Sequence, residues 1–596
     1  MKDFLKYTLA TICGIILVGV LCGILFIISI IGMAVSGNGS TKVEKNSVFV
    51  LKLNGTVQER GEEDSPLTAL MGQVDMEMMG LDDIVASIKK AKDEENIKGI
   101  YIEGGIASFD APATAQQVRD ALKDFRKSGK WIVAYADQYM QASYYVASVA
   151  DKVYMNKTGM LDFKGLGGQS EYMKGLYDKL GIRYQVAKVG KYKSYVERNT
   201  LTGMSDYDRE QREAYTQGIW KHWLKDIAES RKVTAEQLDQ LASDSIISLA
   251  DAKDYVTAKL VDKLMYPDEV SKEIKALLKI DAKDDIKQLT LADMKNLPKK
   301  EGEKGDKIAV YYAYGSIIDS EATGLFSTDH SIVGSTTVED LNKLAKDDDV
   351  KAVVLRVNSG GGSANASEQI WHAVKELKTK KPIVVSMGGA AASGGYMISA
   401  AADYIIAEPT TITGSIGIFG LIPNFSGLVT DKLGVTFDGV KTNKYTDYEE
   451  QLVLGKENSQ EMKYMQSYVD RGYINFLDIV ADGRKMKREQ VDSIGQGRVW
   501  LATDAIKVKL VDKLGSLDDA IKKAAELAKV DKYYAASYPL PASWWEQLLS
   551  DNKKRSYLDG EMREILGELY QPLLELRRDM QSSRLQAKLP YRLEVK

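Results

Sequence analysis

VKAVVLRVNSGGGSANASEQIWHAVKELK, residues Val350–Lys378, opens with a valine-rich, largely apolar run, turns through three glycines and closes on a helical pattern. A strand over Val350–Val357 with no polar alternation is one buried on both faces, as in parallel sheets covered by helices. The helix predicted over Asn365–Lys378 is the cover. Working outward, strands are predicted at Ile308–Ala313, Ile383–Met387 and Tyr404–Ala407, and helices at Val338–Lys346 and Ser393–Ala402. Strands alternating with helices in this way give an α/β fold built on a parallel sheet. Met462–Ile479 and Lys487–Ile494 also read as helices, outside that core.

The same text occurs earlier in the chain. Ile97–Ile102 parallels Val350–Leu355, and YYVASVAD (Tyr144–Asp151) parallels YMISAAAD (Tyr396–Asp403), 252 residues on. KLG at Lys179 returns at Lys432, an offset of 253, and KLVDKL at Lys259 returns intact at Lys509, an offset of 250. Near-constant offsets over so long a span mean two copies of one domain, because solenoid units repeat every ~20–50 residues. The copies are placed at 46–280 and 308–540. The charge-rich stretch 281–307, ending KKEGEKGDK, reads as a linker, and 541–596 as a helical, charged tail around Asp559–Met580.

Composition narrows the chemistry. The 596 residues carry 80 Lys+Arg against 84 Asp+Glu, a formal charge of −4, which gives no electrostatic footprint for nucleic acid. Cys13 and Cys22 are the only cysteines, and His222, His330 and His372 the only histidines. No disulfide framework or cysteine-rich metal site can be built from these, and a histidine-rich metal centre has little to draw on. Both cysteines fall in the apolar run Leu9–Val35, which exceeds the ~20 residues a membrane helix needs. It also exceeds the ~7–15-residue apolar core of a cleavable signal peptide, so residues 1–40 are expected to be a retained anchor. Lys2, Lys6 and the amino terminus favour an N-terminus inside and a body outside the cytoplasm.

Two glycine-dense turns of the second copy lack an intact counterpart in the first. Asn358–Ser363 presents backbone N–H groups between a strand and a helix, a place to hold an anion or simply a tight turn. Without a Lys-Ser/Thr pair after the glycines it is no phosphate loop. GGAAASGGY (Gly388–Tyr396) sets Ser393 among small residues at a helix start, where it is either an N-cap or a nucleophile. Two such sites on successive strand-to-helix turns favour chemistry, one supplying a nucleophile and the other an oxyanion hole. The base is then a question. His372 lies mid-helix beside Trp371, and neither His222 nor His330 has a motif around it. A lysine serves if burial lowers its pKa toward ~7–8, and spacing does not say which of the many lysines that is.

VNSGGGSANASE (Val357–Glu368), GGAAASGGYMISAAAD (Gly388–Asp403) and TGSIGIFG (Thr413–Gly420) closely resemble the long, duplicated form of the bacterial signal peptide peptidase A family, also called protease IV. The resemblance runs over essentially the whole chain, anchor included. It implies tandem ClpP/crotonase-like domains behind one transmembrane helix and a serine endopeptidase with a Ser/Lys dyad, without cofactor or metal. Ser393 in ASGGY matches the nucleophile, and Lys193 in GKYKSYVE the general base. Ser415 matches a serine that hydrogen-bonds the lysine. Backbone N–H groups at Gly361 or Gly362 and at Gly394 match the oxyanion hole. Gly360 and Arg198 stand where the family usually has prolines. The resemblance further implies cleaved signal peptides as substrates, membrane lipid around the anchor, a homotetramer, and a catalytic body on the outer side of the bacterial cytoplasmic membrane. The repeat offers a check: the counterpart of Lys193 is Thr446 and that of Ser393 is Gln141, so each copy keeps one member of the dyad. A coenzyme A-using hydratase would share the fold but need neither the anchor nor the pair, and a decayed scaffold would not retain the pair.

Overall fold

The computed structural model describes residues 42–61, 78–244, 247–297, 305–320, 330–540 and 586–588, together with Gly14 and Val18. The expected anchor, 1–40, and all of the expected tail except 586–588 lie outside the described residues apart from those two positions. Among the described residues no helix is long and apolar enough to cross a membrane.

The near-continuous apolar runs form two sheets, the first all parallel and the second parallel but for Val499–Leu501, which runs antiparallel to Ile412–Gly414 at its edge. The first orders Gln288–Leu289, Ser47–Lys52, Ile97–Glu103, Trp131–Tyr139, Lys152–Leu161 and Lys263–Leu264 side by side, every pairing parallel. The second repeats the order with Tyr533–Tyr538, Asp306–Tyr314, Val350–Ser359 and Ile383–Ala392. There the strand equivalent to Lys152–Leu161 is split into Tyr404–Ala407 and Ile412–Gly414, both paired with Ile383–Ala392. One part of the expected linker is not a linker. Gln288–Leu289 pairs with Val48–Phe49 and closes the first sheet's edge, followed by the short helix Leu291–Lys295. Leu289 and Met294 are buried, so the apolar residues among the charges of 281–307 hold this piece to the first sheet.

Side-chain bonds repeat with the backbone. Tyr144 donates to Leu260 O at 2.8 Å and Tyr396 to Leu510 O at 2.9 Å. The aspartates of the two KLVDKL strings, Asp262 and Asp512, accept from Val153 N and Ile405 N and bind Arg231 and Arg484. The copies also interlock. Ala392, Ile412, Val499 and Leu501 of the second copy are buried in the first copy's apolar core. At roughly 1.5–3 kcal/mol for a buried Val or Leu side chain, Val499 and Leu501 alone tie the halves firmly together.

A third sheet belongs to neither copy alone. It orders Ser331–Val333, Ser316–Ile318, Gly361–Ser363, Gln586–Lys588, Phe419–Asn424 and Arg183–Lys188. Arg183–Lys188, from the first copy, runs antiparallel to Phe419–Asn424 of the second over six residue pairs, from Arg183 opposite Asn424 to Lys188 opposite Phe419. That pairing delivers the segment after Lys188 into the second copy.

Candidate active site

Ser393 sits where the strand Ile383–Ala392 gives way to the short helix Gly394–Ser399. The strand is longer than the sequence pattern indicates, because the small residues after Met387 stay in the sheet: Ala391 pairs with Ser359 and Ala390 with Ile412. Ser393 has φ 55° and ψ −116°. A serine held at positive φ costs of order 1–3 kcal/mol and persists where its neighbours fix it. Ser393 N–H donates to Gly414 O at 2.7 Å, and Met397 N–H donates to Ser393 O at 2.9 Å. Ser393 stands at the N-cap position but makes no side-chain capping bond. The capping serine is Ser363, whose Oγ accepts from Ala366 N. The Ser393 hydroxyl instead meets Lys193 Nζ at 2.8 Å, with both residues fully buried.

Lys193 comes from the first copy along the strand Arg183–Lys188. Tyr192 N–H donates to Gln496 O at 2.9 Å, and Gly497, at φ 78°, lies so close that a Cβ there would stand 2.7 Å from Lys193 N. Gln211, on the long helix Asp206–Arg231, ties the two copies at this point. Its Nε2 donates to Tyr192 O at 3.1 Å and Ser194 Oγ at 3.0 Å, while its Oε1 accepts from Val499 N at 3.0 Å.

Burial alone holds the Lys193 amine well below the usual lysine value. Its neighbours are neutral oxygens: Ser393 Oγ, Ser415 Oγ at 3.0 Å and Ser415 O at 3.1 Å. A neutral amine has two hydrogens and one lone pair. The hydrogens suit the two Ser415 oxygens, leaving the lone pair toward the Ser393 hydroxyl. Ser415 is itself fixed at φ 50°, with its N–H on Arg498 O at 2.7 Å.

The glycines divide the space over Ser393. Gly361, at φ 95°, lies where a Cβ would come within 2.7 Å of Gly394 N. Its own N–H donates to Ser359 Oγ at 3.1 Å. Gly362 is pressed against Ile317, with 2.0 Å from a Cβ to that carbonyl oxygen, so Gly361 is the glycine that adjoins Gly394. Gln586–Lys588 lies antiparallel along Gly361–Ser363, Ala587 opposite Gly362. Phe419, opposite Gln586, flanks it on the other side. Ala587 is fully buried, its carbonyl oxygen 3.2 Å from where a Gly394 Cβ would be. An extended peptide therefore fits across the glycine turn, and here the chain's own residues lie in that place.

Of the six residues singled out in sequence, Ser393, Lys193, Ser415, Gly394 and Gly361 lie together, and Gly362 is turned toward Ile317. The counterparts of Ser393 and Lys193 do not come together. Gln141 Oε1 accepts from Lys164 N and Gly165 N, and the exposed Thr446 donates to Asn443 O. His222 pairs with Asp226 on its own helix and His330 stacks on Tyr314, both away from the serine. Among the described residues no group of three or more His, Cys, Asp or Glu could hold a metal ion.

Residues 124–281 and 375–531 each match the profile of peptidase family S49. The chain belongs to peptidase family S49. Residues 306–411 of this S49 peptidase also match the Clp protease family. It is 35% identical to Protease 4 of Salmonella typhi over 90% of this chain and 87% of that protein. Protease 4 of Haemophilus influenzae is 34% identical over 89% of this chain and 88% of its own. The chloroplastic serine protease SPPA of Arabidopsis thaliana is 28% identical over 82% and 70%. The S49 peptidase is accordingly a serine protease of the duplicated protease IV type, with tandem ClpP-like domains.

Sequence reasoning missed Gln211 and a buried polar cluster behind the serine: Glu59, Asp110, Arg356 and Asn358. One signal was present. Arg356 is a charge inside the apolar strand VVLRV, and such a residue is buried only with a partner.

Proposed function

We propose that this S49 peptidase is a membrane-tethered endopeptidase that uses Ser393 as nucleophile and neutral Lys193 as general base, and that degrades cleaved signal peptides. The observation that carries the reading is the 2.8 Å approach of Lys193 Nζ to Ser393 Oγ in a fully buried site whose burial favours the neutral amine. Lys193 takes the proton from Ser393 Oγ as that oxygen attacks a peptide carbonyl. The backbone N–H of Gly394, joined by that of Gly361 once it leaves Ser359 Oγ, bears the developing oxyanion. The lysine ammonium then protonates the leaving amine, and water, deprotonated by the same lysine, cleaves the acyl-enzyme. Ser415 keeps the amine aimed throughout.

The strand place between Gly361–Ser363 and Phe419 supports a substrate in extended, unfolded form, bound by main-chain pairing. Apolar signal sequences released in a membrane have that form available. The anchor expected at residues 1–40 would keep the body beside the bilayer on its outer face, and a homotetramer is the assembly expected of the family.

Replacing Ser393 by Ala, and separately Lys193 by Ala, tests the dyad in the full-length protein. Each variant is expected to lose peptide hydrolysis with its fold intact, and Ser393→Ala to lose labelling by a fluorophosphonate. Thr446→Ala is expected to match the wild type. Undiminished turnover in Ser393→Ala refutes the assignment. Synthetic signal peptides compared with polar peptides of equal length test the substrate, and light scattering in detergent tests the tetramer.

A further inference from the structure

The strand that carries Ser393 does not run straight into it. Val357 and Ser359, two apart, face Met387 and Ala391, four apart, so Gly388–Ala390 bulge from the ladder. A bulge re-aims the residue that follows, and its backbone groups need partners elsewhere. Ala390 N–H finds Asn358 Oδ1 at 3.1 Å.

The first copy decides which way Asn358 points. Asn358 Nδ2 donates to Glu59 Oε2 at 3.0 Å and to Asp110 Oδ2 at 3.1 Å. Two carboxylates on one side leave the amide no alternative: nitrogen toward the acids, oxygen toward the bulge. Glu59 is held in turn by Arg356, whose Nε donates to Oε1 at 2.6 Å. Arg356 Nη1 donates to Ser386 Oγ at 2.9 Å, on the strand entering the bulge. Ala111, next to Asp110, fills the space beside Gly389, where a Cβ would lie 2.2 Å from its own. Glu59, Asp110 and Ala111 come from the first copy, and Arg356, Asn358 and the bulge from the second.

We infer that Glu59 and Asp110 are positioning residues for Ser393, acting through the Asn358 amide that fixes the Gly388–Ala390 bulge. The inference rests on Ser393 being the nucleophile. It gives the first copy a second task, since it then supplies the base and also aims the serine. The glycine turn of the first copy, Gly104–Gly105 followed by Asp110, no longer frames a serine of its own and instead braces the working one.

The test uses the full-length protein, a chromogenic peptide for kcat and KM, the fluorophosphonate labelling rate of Ser393, and thermal unfolding. Asn358→Ala is expected to lower kcat and the labelling rate together by about tenfold to a hundredfold, the scale of a misplaced reacting group, with KM little changed. Asn358→Asp turns a third carboxylate on Glu59 and Asp110 and is expected to lose at least as much. Adding Glu59→Gln to Asn358→Asp exchanges acid and amide between these two positions, so that the new amide donates to the new carboxylate and only Asp110 still opposes it. That double variant is expected to recover part of the labelling rate, which a merely stabilising cluster has no reason to do at matched unfolding temperature. Labelling of Asn358→Ala at the wild-type rate overturns the inference. If that variant does not fold, a double variant no faster than Asn358→Asp overturns it. Ser393→Ala in the same assays separates the two readings: persistent hydrolysis there removes the nucleophile assignment itself.

Discussion

Gly497→Ala isolates how closely the lysine must be held. Gly497 has φ 78°, and a Cβ on it would stand 2.7 Å from Lys193 N and 2.7 Å from Lys193 Cβ. Ordinary contact between such atoms begins near ~3.5 Å, so the Lys193 backbone must recede by about 0.8 Å. Carried along the side chain, that shift takes Nζ–Oγ from 2.8 Å to about 3.6 Å, beyond the ~2.6–3.2 Å over which a base takes a proton. A misplacement of this size costs on the order of 100-fold in kcat. The alanine also bears about 1–2 kcal/mol for positive φ, which lowers stability without reference to the site. Gly129→Ala separates the two effects. Gly129 has the same φ of 78°, and a Cβ there meets nothing within 4 Å. Both variants are expected to unfold a few degrees lower, and only Gly497→Ala to lose activity. Steady-state hydrolysis of a chromogenic peptide and fluorophosphonate labelling read the difference. If Gly497→Ala keeps kcat within about threefold of Gly129→Ala, the geometric argument for the dyad is wrong.

As the proposed general base, Lys193 should also set the pH response. Only its neutral form accepts the serine proton, so kcat/KM should rise with pH through the lowered lysine pKa, and an acid limb that survives in a variant bypassing Lys193 would contradict this. Stability moves the same way. Between that lowered value and the ordinary lysine value of 10.5 the unfolded chain binds a proton that the folded chain does not, so the Lys193 contribution to stability rises with pH across this window. Lys193→Met should therefore unfold at a higher temperature than wild type at neutral pH while showing no hydrolysis; a lower unfolding temperature would mean the amine is paired rather than merely desolvated. Finally, deleting residues 585–596 removes the strand lying over Gly361–Ser363, and the labelling rate of Ser393 should increase severalfold. An unchanged rate would show that this strand does not compete with ligand.

The two sheets were legible because strands buried on both faces, such as Val350–Val357 and Ile383–Met387, are written as near-continuous apolar runs. The duplication was legible because the Tyr144/Tyr396 and Asp262/Asp512 bonds tie particular letters to particular places, and those letters were kept. The third sheet was not. Gly361–Ser363 and Gln586–Lys588 are three residues long, too short to show a period, and exist as strands only beside their partners. Ser393 stood out among its glycines, yet cap and nucleophile look alike in sequence. The missing capping bond removes the cap reading. Lys193 carries no local mark of a buried amine. What buries it, including Gly497 and Gly417, where a Cβ would lie 3.3 Å from Lys193 Cδ, is supplied from the other copy. Family resemblance found it where spacing could not.

The interlocking of the copies bears on the order in which the protein is made. Lys193, the bulge before Ser393, Ser415 and the Gly497 that presses on the lysine leave the ribosome in that sequence, and the lysine cannot be seated until the last has folded against it. A nascent or truncated chain ending before Gly497 thus carries a serine without a poised base. With the proposed dyad, synthesis itself keeps the hydrolase silent until the whole body has been assembled.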